Sequence, residues 1–172
     1  KCTTGVLIWK VGRVSKSLYD NIDVENLFNQ WHSDIRKYTA ALNEDCVLKV
    51  IKNSNIETFE TSKFNEVLNL TNTRNCQEIF DRISTEKNVD NFLNILEERD
   101  NLYPRELDRG YSIKEIYELV VKNNYHPLLF LELNDKYYII DGRTRFYCCL
   151  FLNIPAKVRI LLDKTLNENC RK

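Results

Sequence analysis

Methionine is absent from the 172-residue sequence, and glycine, proline and histidine are scarce, with four, three and two residues. Long apolar runs are missing as well: the longest, 128–131 and 146–152, are far shorter than the roughly 18 residues of a membrane-spanning helix. We therefore expect no membrane association. Hydrophobic residues at 43% and charged residues at 29% are typical of a globular chain and exclude a wholly disordered one.

Net charge is also lacking, because 25 Lys and Arg residues balance 25 Asp and Glu residues. A neutral total excludes a generally basic coat for nucleic acid, but charge has to be counted by segment. Residues 1–100 carry 13 basic and 16 acidic side chains, whereas residues 101–172 carry 12 basic and 9 acidic ones. Neutrality therefore does not exclude a local basic patch in the C-terminal part.

The six cysteines form no Cys-x-x-Cys pair, so a zinc ribbon or a thioredoxin-type motif is not expected. The apolar stretch 6–9 is too short for the hydrophobic region of a signal peptide. We therefore expect a cytoplasmic protein with reduced cysteines. The adjacent pair Cys148 and Cys149 lies in an apolar segment and is predicted to fill the core.

The first part of the chain, 1–93, is predicted to form a mostly helical N-terminal lobe, to which the sequence assigns no role. Apolar residues at helical spacing indicate helices at 23–42, 76–83 and 89–98. Short apolar runs indicate strands at 5–11 and 47–51. The segment 53–75 is rich in Asn and Thr and is ambiguous.

The second part, 94–172, carries a signal for nearly every element. Ser112 and Glu115 form a capping box at the start of a helix. The following segments predict a hairpin with strands at 128–133 and 136–140, a helix at 143–152 and a strand at 156–162. Lys157 and Arg159 are expected on a solvated edge of that last strand. This order of elements predicts an α+β fold, a small mixed sheet with flanking helices.

The most informative stretch joins the predicted strand 136–140 to the helix 143–152. Asp141-Gly142 breaks the strand, and the helix begins with Arg143, Thr144 and Arg145. The start of a helix favours an anion, and arginine and threonine side chains add donors for phosphate. Asp141 is placed to bind a divalent metal or to accept a proton. The alternative is structural, with Arg145 in an ion pair with Asp141 or Glu132.

The segment from Asp141 to Arg145, followed by an apolar helix and Asn153-Ile154-Pro155, resembles the core of the ParB/sulfiredoxin superfamily. Upstream, Tyr103-Pro104-Arg105-Glu106 resembles the proline-containing segment of that family. His126-Pro127-Leu128-Leu129 resembles a strand of the family that begins with a proline. The likeness covers roughly residues 94–163, so the sequence divides into 1–93 and a family-like domain at 94–172.

This resemblance implies a nucleotide-binding domain that holds a triphosphate at the start of the helix. By position, Gly142, Arg143, Thr144 and Arg145 would contact phosphates. In the free serine kinase branch, Glu106 would act as base, and Asp141 would position metal and phosphate. ATP or another NTP would bind with Mg²⁺. Sulfiredoxin chemistry is not expected, because its cysteine is replaced by Arg143.

The leading functional hypothesis is an NTP-dependent phosphotransferase, because phosphoryl transfer needs positioning, a metal and a base. Its acceptor could be a small molecule or a nucleic acid. One alternative is a nucleotide-sensing or DNA-binding regulator without turnover. Another is a ParB-like nuclease that would use Asp141, Glu132 and Glu106 as carboxylates. A surface carboxylate is the structural alternative for Glu106.

Overall fold

The computed structural model describes residues 42–68, 76–102 and 111–172. Within them, the α-helices are Glu44–Asn53 (α1), Cys76–Thr85 (α2), Val89–Leu102 (α3), Ile113–Val121 (α4), Arg143–Leu152 (α5) and Asp163–Asn169 (α6). The strands are Glu57–Phe59 (β1), Val67–Leu68 (β2), Leu128–Leu133 (β3), Lys136–Asp141 (β4) and Ala156–Leu162 (β5), and a 3-10 helix spans Thr61–Glu66. The strand predicted at 5–11 and the helix predicted at 23–42 fall outside the described residues, apart from Leu42.

The five strands form one mixed sheet in the order β1-β5-β3-β4-β2. The pairs β3–β5 and β2–β4 are parallel, and the other two pairs are antiparallel. The predicted α+β fold with a small mixed sheet is therefore confirmed. β5 lies between β1 and β3, so the prediction of a solvated edge was wrong. Arg159 donates to the carbonyl of Ser54, and Lys157 donates to that of Asn123.

The hairpin β3–β4 places the motif from Asp141 to Arg145 at one end of the sheet. Asn134 and Asp135 both adopt positive φ angles, of 53° and 59°, which is the conformation of a tight type I′ turn. From this turn the antiparallel pairing continues to the end of β4, where Asp141 lies opposite Leu129. The predicted hairpin is confirmed, and it fixes where α5 begins.

Side chains of β3 alternate between two cores, one on each face of the sheet. Leu128 and Phe130 belong to the larger core, together with buried residues of α2, α3, α4 and α5. Leu129 and Leu131 belong to a smaller core with buried residues of α1 and α6. The motif helix α5 therefore lies on the face of the larger core, and its second half is packed against α3 through the stacked rings of Phe92 and Phe151.

The strand predicted at 47–51 is wrong, because these residues lie inside α1. The side chain of Asn43 accepts a hydrogen bond from the amide of Cys46 at 3.0 Å and so caps the helix. Val47 and Ile51, four residues apart, are fully buried on one face. A five-residue apolar run is compatible with either structure, and the capping asparagine was the signal for a helix.

The expectation that all cysteines are reduced was also wrong, because Cys46 and Cys170 form a disulfide with a Cα–Cα distance of 5.4 Å. The bond joins α1 to the residue after α6. Next to it, the amide of Asn43 donates to the carbonyl of Cys170 at 2.7 Å. The pair is separated by 124 residues, so no local spacing could reveal it. Cys148 and Cys149 are buried in the core, as predicted.

The predicted boundary at residue 93 falls inside α3. Described residues on both sides of it share the sheet and the larger core: the ring of Phe59 packs on Phe130, and that of Phe64 packs on Phe146. Residues 42–93 therefore contribute β1, β2 and α2 to the same unit as the motif. The lobe predicted for the remainder, 1–41, lies outside the described residues. None of the described helices has the length and apolar character needed to cross a membrane.

Candidate functional site

The candidate site is the junction between β4 and α5, where Gly142 connects Asp141 to Arg143. Gly142 has a φ of 100°, in the left-handed region that other residues rarely adopt. A Cβ at this position would lie 2.9 Å from Cγ of Leu128 and 3.0 Å from Nη2 of Arg145. The junction therefore requires glycine both for its backbone conformation and for space.

Arg145 holds this junction together from inside. Its side chain is 4% exposed, and Nη2 donates to Oδ2 of Asp141 at 2.8 Å. Nη1 donates to the carbonyls of His126 at 2.6 Å and Pro127 at 3.3 Å, just before β3. The ion pair that the sequence left open as a structural alternative is present. One guanidinium thus joins the start of β3, the end of β4 and the first turn of α5.

The first turn of α5 offers the chemistry expected for an anion. The helix has no side-chain cap, and its first intrahelical hydrogen bond runs from the amide of Phe146 to the carbonyl of Gly142 at 2.8 Å. The amides before it have no acceptor within the helix. Arg143 is partly exposed, whereas Thr144 is 2% exposed. Arg143 is therefore the basic residue of this turn that solvent reaches.

Arg99 of α3 was missed by the sequence reasoning. It is 6% exposed, and its Cζ lies 5.4 Å from the ring centroid of Tyr147, one turn after Arg143 on α5. The sequence carries a signal for its burial. Phe92, Ile95 and Leu96 form a buried stripe along α3, and Arg99 continues this stripe seven residues after Phe92. The predicted helix ended at residue 98, which left this buried arginine out.

Carboxylates for a metal are sparse near the junction. Asp141 is there, but Glu132 pairs with Tyr137 in the sheet and so lies three residues along β3 from the partner of Asp141, about 10 Å away. Glu106 lies outside the described residues. Within the described ranges, no group of three or more His, Cys, Asp or Glu residues could hold a metal ion. Mg²⁺ is commonly held by one or two carboxylates and substrate phosphates, a donor set that Asp141 fits.

A second polar cluster lies behind α5, around Tyr125. Its hydroxyl accepts a hydrogen bond from the amide of Lys157 at 3.0 Å and lies 3.6 Å from Sγ of Cys149. Burial raises the pKa of the Cys149 thiol to about 11 and also raises the pKa of Tyr125. A thiol that stays protonated near neutral pH is a poor nucleophile. This cluster therefore packs α5 and β5 together.

The order of elements around the junction is α4, β3, β4, α5 and β5, as the sequence predicted. No protein-family model, curated protein or solved structure matches the chain. The resemblance to a known superfamily therefore depends on the residues of the motif and on this element order.

Proposed function

We propose that the protein binds a nucleoside triphosphate at the start of α5 and transfers its terminal phosphoryl group, as a phosphotransferase of the ParB/sulfiredoxin type. The observation that carries this proposal is the glycine junction between β4 and α5. Gly142 lets the backbone turn close against Leu128 and Arg145, where a Cβ would clash, and the helix start that follows it favours an anion. A triphosphate matches such a site in charge and in hydrogen-bonding capacity.

The proposal gives different tasks to the four residues that follow Asp141. The first-turn amides and Arg143 bind phosphate oxygens, and Gly142 forms the turn that places the start of α5. Arg145 is a positioning residue, since both ends of its guanidinium are bonded within the protein. Thr144 is buried, so the proposal gives its hydroxyl no contact with phosphate.

Asp141 would hold Mg²⁺ together with the phosphates, and the ion would neutralise charge on the nucleotide. Oδ2 of Asp141 is bonded to Arg145, so the proposal assigns Oδ1 to the ion. Glu106 remains the base that the resemblance suggests. The acceptor is a small molecule or a nucleic acid. The proposal places the protein in the cytoplasm because nucleoside triphosphates and Mg²⁺ are abundant there, although the Cys46–Cys170 disulfide is unusual for that compartment.

Nucleotide binding without turnover is the second candidate, as in a nucleotide-sensing or DNA-binding regulator. The observation that favours it is the ion pair of Asp141 with Arg145. This pair occupies one of the two oxygens of the only carboxylate that the described residues place at the junction. A ParB-like nuclease is less well supported, because the sheet register places Glu132 far from Asp141.

A thermal-shift panel of ATP, ADP, CTP and GTP with Mg²⁺ tests the binding claim. A ligand at about 100 times its Kd stabilises the native state by about 2.7 kcal/mol, which is readily measured. We expect at least one nucleotide to raise the Tm, with the shift reduced in Arg143→Ala and retained in Arg82→Ala, an exposed arginine on α2. A flat panel for the wild type contradicts the proposal.

Transfer or hydrolysis of labelled γ-phosphate then separates the two candidates. An enzyme loses turnover in Asp141→Asn while the Arg143-dependent Tm shift persists. A regulator shows the shift and no turnover in either protein. Steep salt dependence of DNA binding would identify the DNA-binding form of the regulator, because phosphate contacts release counterions.

A further inference from the structure

One buried cation in the described part of the chain is poorly accommodated by its surroundings. The side chain of Arg99 is more than nine-tenths buried, yet Nη1 makes no hydrogen bond. Nη1 forms an ion pair with Oδ1 of Asp100 at 3.6 Å, which is beyond hydrogen-bond distance, and Asp100 itself is partly exposed. The remaining contact is the face of Tyr147 at 5.4 Å.

The position of Arg99 relative to the junction follows from two contacts between α3 and α5. Phe92, near the start of α3, stacks on Phe151 near the end of α5 at 4.3 Å, whereas Arg99 lies over Tyr147 in the second turn of α5. The two helices therefore run in opposite directions, and the last turns of α3 reach the first turns of α5. A tyrosine side chain in a helix leans towards the N-terminus, so Tyr147 brings this guanidinium towards Arg143.

A buried guanidinium without hydrogen bonds is costly, because it gives up hydration and receives little in return. Tyr147 offers a cation–π contact, which compensates for only part of that loss. An oxyanion would satisfy the orphaned donor, and the planar guanidinium is well suited to bind two oxygens of a phosphate at once. An oxyanion bound to Nη1 of Arg99 is therefore of the same chemical class as the ligand proposed for the junction.

We propose that Arg99 is a phosphate-binding residue of the α5 site, contacting a phosphate group beyond the one held by the first-turn amides and Arg143. This inference rests on the proposed function and narrows the class of ligand by the number of its phosphates. Arg143 and Tyr147 are four residues apart, about 6 Å along the helix axis. Two guanidiniums arranged along that distance suit a chain of two or three phosphates better than a single phosphate.

Inorganic tripolyphosphate and orthophosphate, each titrated alone and compared with Mg-ATP, provide the test. In the wild type, tripolyphosphate raises the Tm far more than orthophosphate does. In Arg99→Met, the affinity for tripolyphosphate and for Mg-ATP falls by about tenfold or more, as expected for the loss of a charged hydrogen bond. Arg82→Met, the exposed control on α2, binds both as the wild type does.

A stability measurement distinguishes ligand binding from a structural role. Without anion, Arg99→Met should unfold at nearly the same urea concentration as the wild type, because it removes an orphaned buried nitrogen together with only one long ion pair to a partly exposed carboxylate. Reduced stability with unchanged tripolyphosphate affinity overturns the inference. Should Arg99→Met not fold, Arg99→Lys, which keeps the charge but not the planar fork, should show an intermediate loss of affinity.

Failure of this inference is separable from failure of the proposed function. Equal nucleotide affinity in the wild type and Arg99→Met refutes the role of Arg99 and leaves the Gly142 junction as the nucleotide site. Arg99-dependent binding of tripolyphosphate without binding of any nucleotide supports the inference and refutes the nucleotide assignment. A wild type that responds to no anion refutes both.

Discussion

Nη2 of Arg145 and Oδ2 of Asp141 lie 2.8 Å apart across Gly142, with side-chain exposures of 4% and 20%. The same guanidinium also binds the carbonyls of His126 and Pro127. The strand end, the glycine and the first helical turn therefore share one internal support. This arrangement is the reason why Arg145 shapes the proposed phosphate site without having to contact phosphate itself.

Replacing Arg145 by methionine should destabilise the fold by about 3 kcal/mol, because removing one partner of a buried pair leaves the other uncompensated. Arg145→Lys should recover little of this, since lysine cannot bind a carboxylate and two carbonyls with a planar fork. Urea unfolding measures the effect, and Arg171→Met, at an exposed position, is the control. A loss for Arg145→Met no larger than that of the control would show that the pair does not hold the junction.

Gly142→Ala should cost about 2 kcal/mol or more, because alanine is strained at a φ of 100° and its Cβ would come within 3.0 Å of Leu128 and Arg145. Nucleotide-dependent stabilisation should fall as well. Asn153→Gly is the matched control, because Asn153 also has a positive φ, of 53°, at the end of α5. That change should stay within about 0.5 kcal/mol. Similar urea midpoints for Gly142→Ala and the wild type would refute the steric argument.

The sequence predicted the elements from Ser112 to Leu162 because each of them carries a local signal. The Ser112–Glu115 capping box has both of its hydrogen bonds, at 3.1 and 2.8 Å. The Asn134-Asp135 turn fixes the hairpin, and Asn153, in the left-handed conformation, ends α5. Signals of this kind act within a few residues, so they can be read without a tertiary structure.

The features that were missed depend on residues far apart in the chain. β1 is three residues long and pairs with β5 about one hundred residues later, and β2 has only two residues. Neither strand is long enough to show alternation. The partial burial of Lys157 and Arg159 on an interior strand follows from that same pairing. In β5, Leu161 is fully buried and Leu162 is 45% exposed, the reverse of a strict alternation from Val158.

The sequence predicted only part of the candidate site, for the same reason. The glycine junction and the arginines of α5 are contiguous, and the sequence located them. The contacts of Arg145 with His126 and Pro127 span 19 and 18 residues. Arg99 meets Tyr147 only because α3 packs against α5. Packing between elements decides that Arg145 supports the turn and that Arg99 is buried against Tyr147.

The disulfide between Cys46 and Cys170 should contribute about 2–4 kcal/mol, since it closes a long loop in the unfolded chain. Cys170→Ser should lose this stability, and dithiothreitol should lower the wild type to the level of the variant. The variant should respond less to dithiothreitol than the wild type does, which serves as the control. A wild type unaffected by dithiothreitol under unfolding conditions would show that the bond does not contribute to stability.

Stability should fall in alkaline solution because of Cys149. Burial raises the pKa of its thiol from 9.0 to about 11, so the unfolded chain releases this proton before the folded protein does. The corresponding stability is present below pH 9 and is lost as the pH rises towards 11, by up to about 1.4 kcal/mol per pH unit. Burial also raises the pKa of Tyr125, which adds a loss in the same direction once the unfolded phenol titrates, near pH 10.

Urea unfolding of the wild type and Cys149→Ala across pH 8 to 11 checks this linkage. The smaller side chain lowers stability at every pH, so the slopes are compared and not the absolute free energies. In Cys149→Ala, the free energy of unfolding should decline less steeply with pH from about pH 9 upward. In Tyr125→Phe, the slope of the free energy of unfolding against pH should differ from that of the wild type only above about pH 10. Parallel curves for the wild type and Cys149→Ala would show that the thiol is not held protonated by the fold.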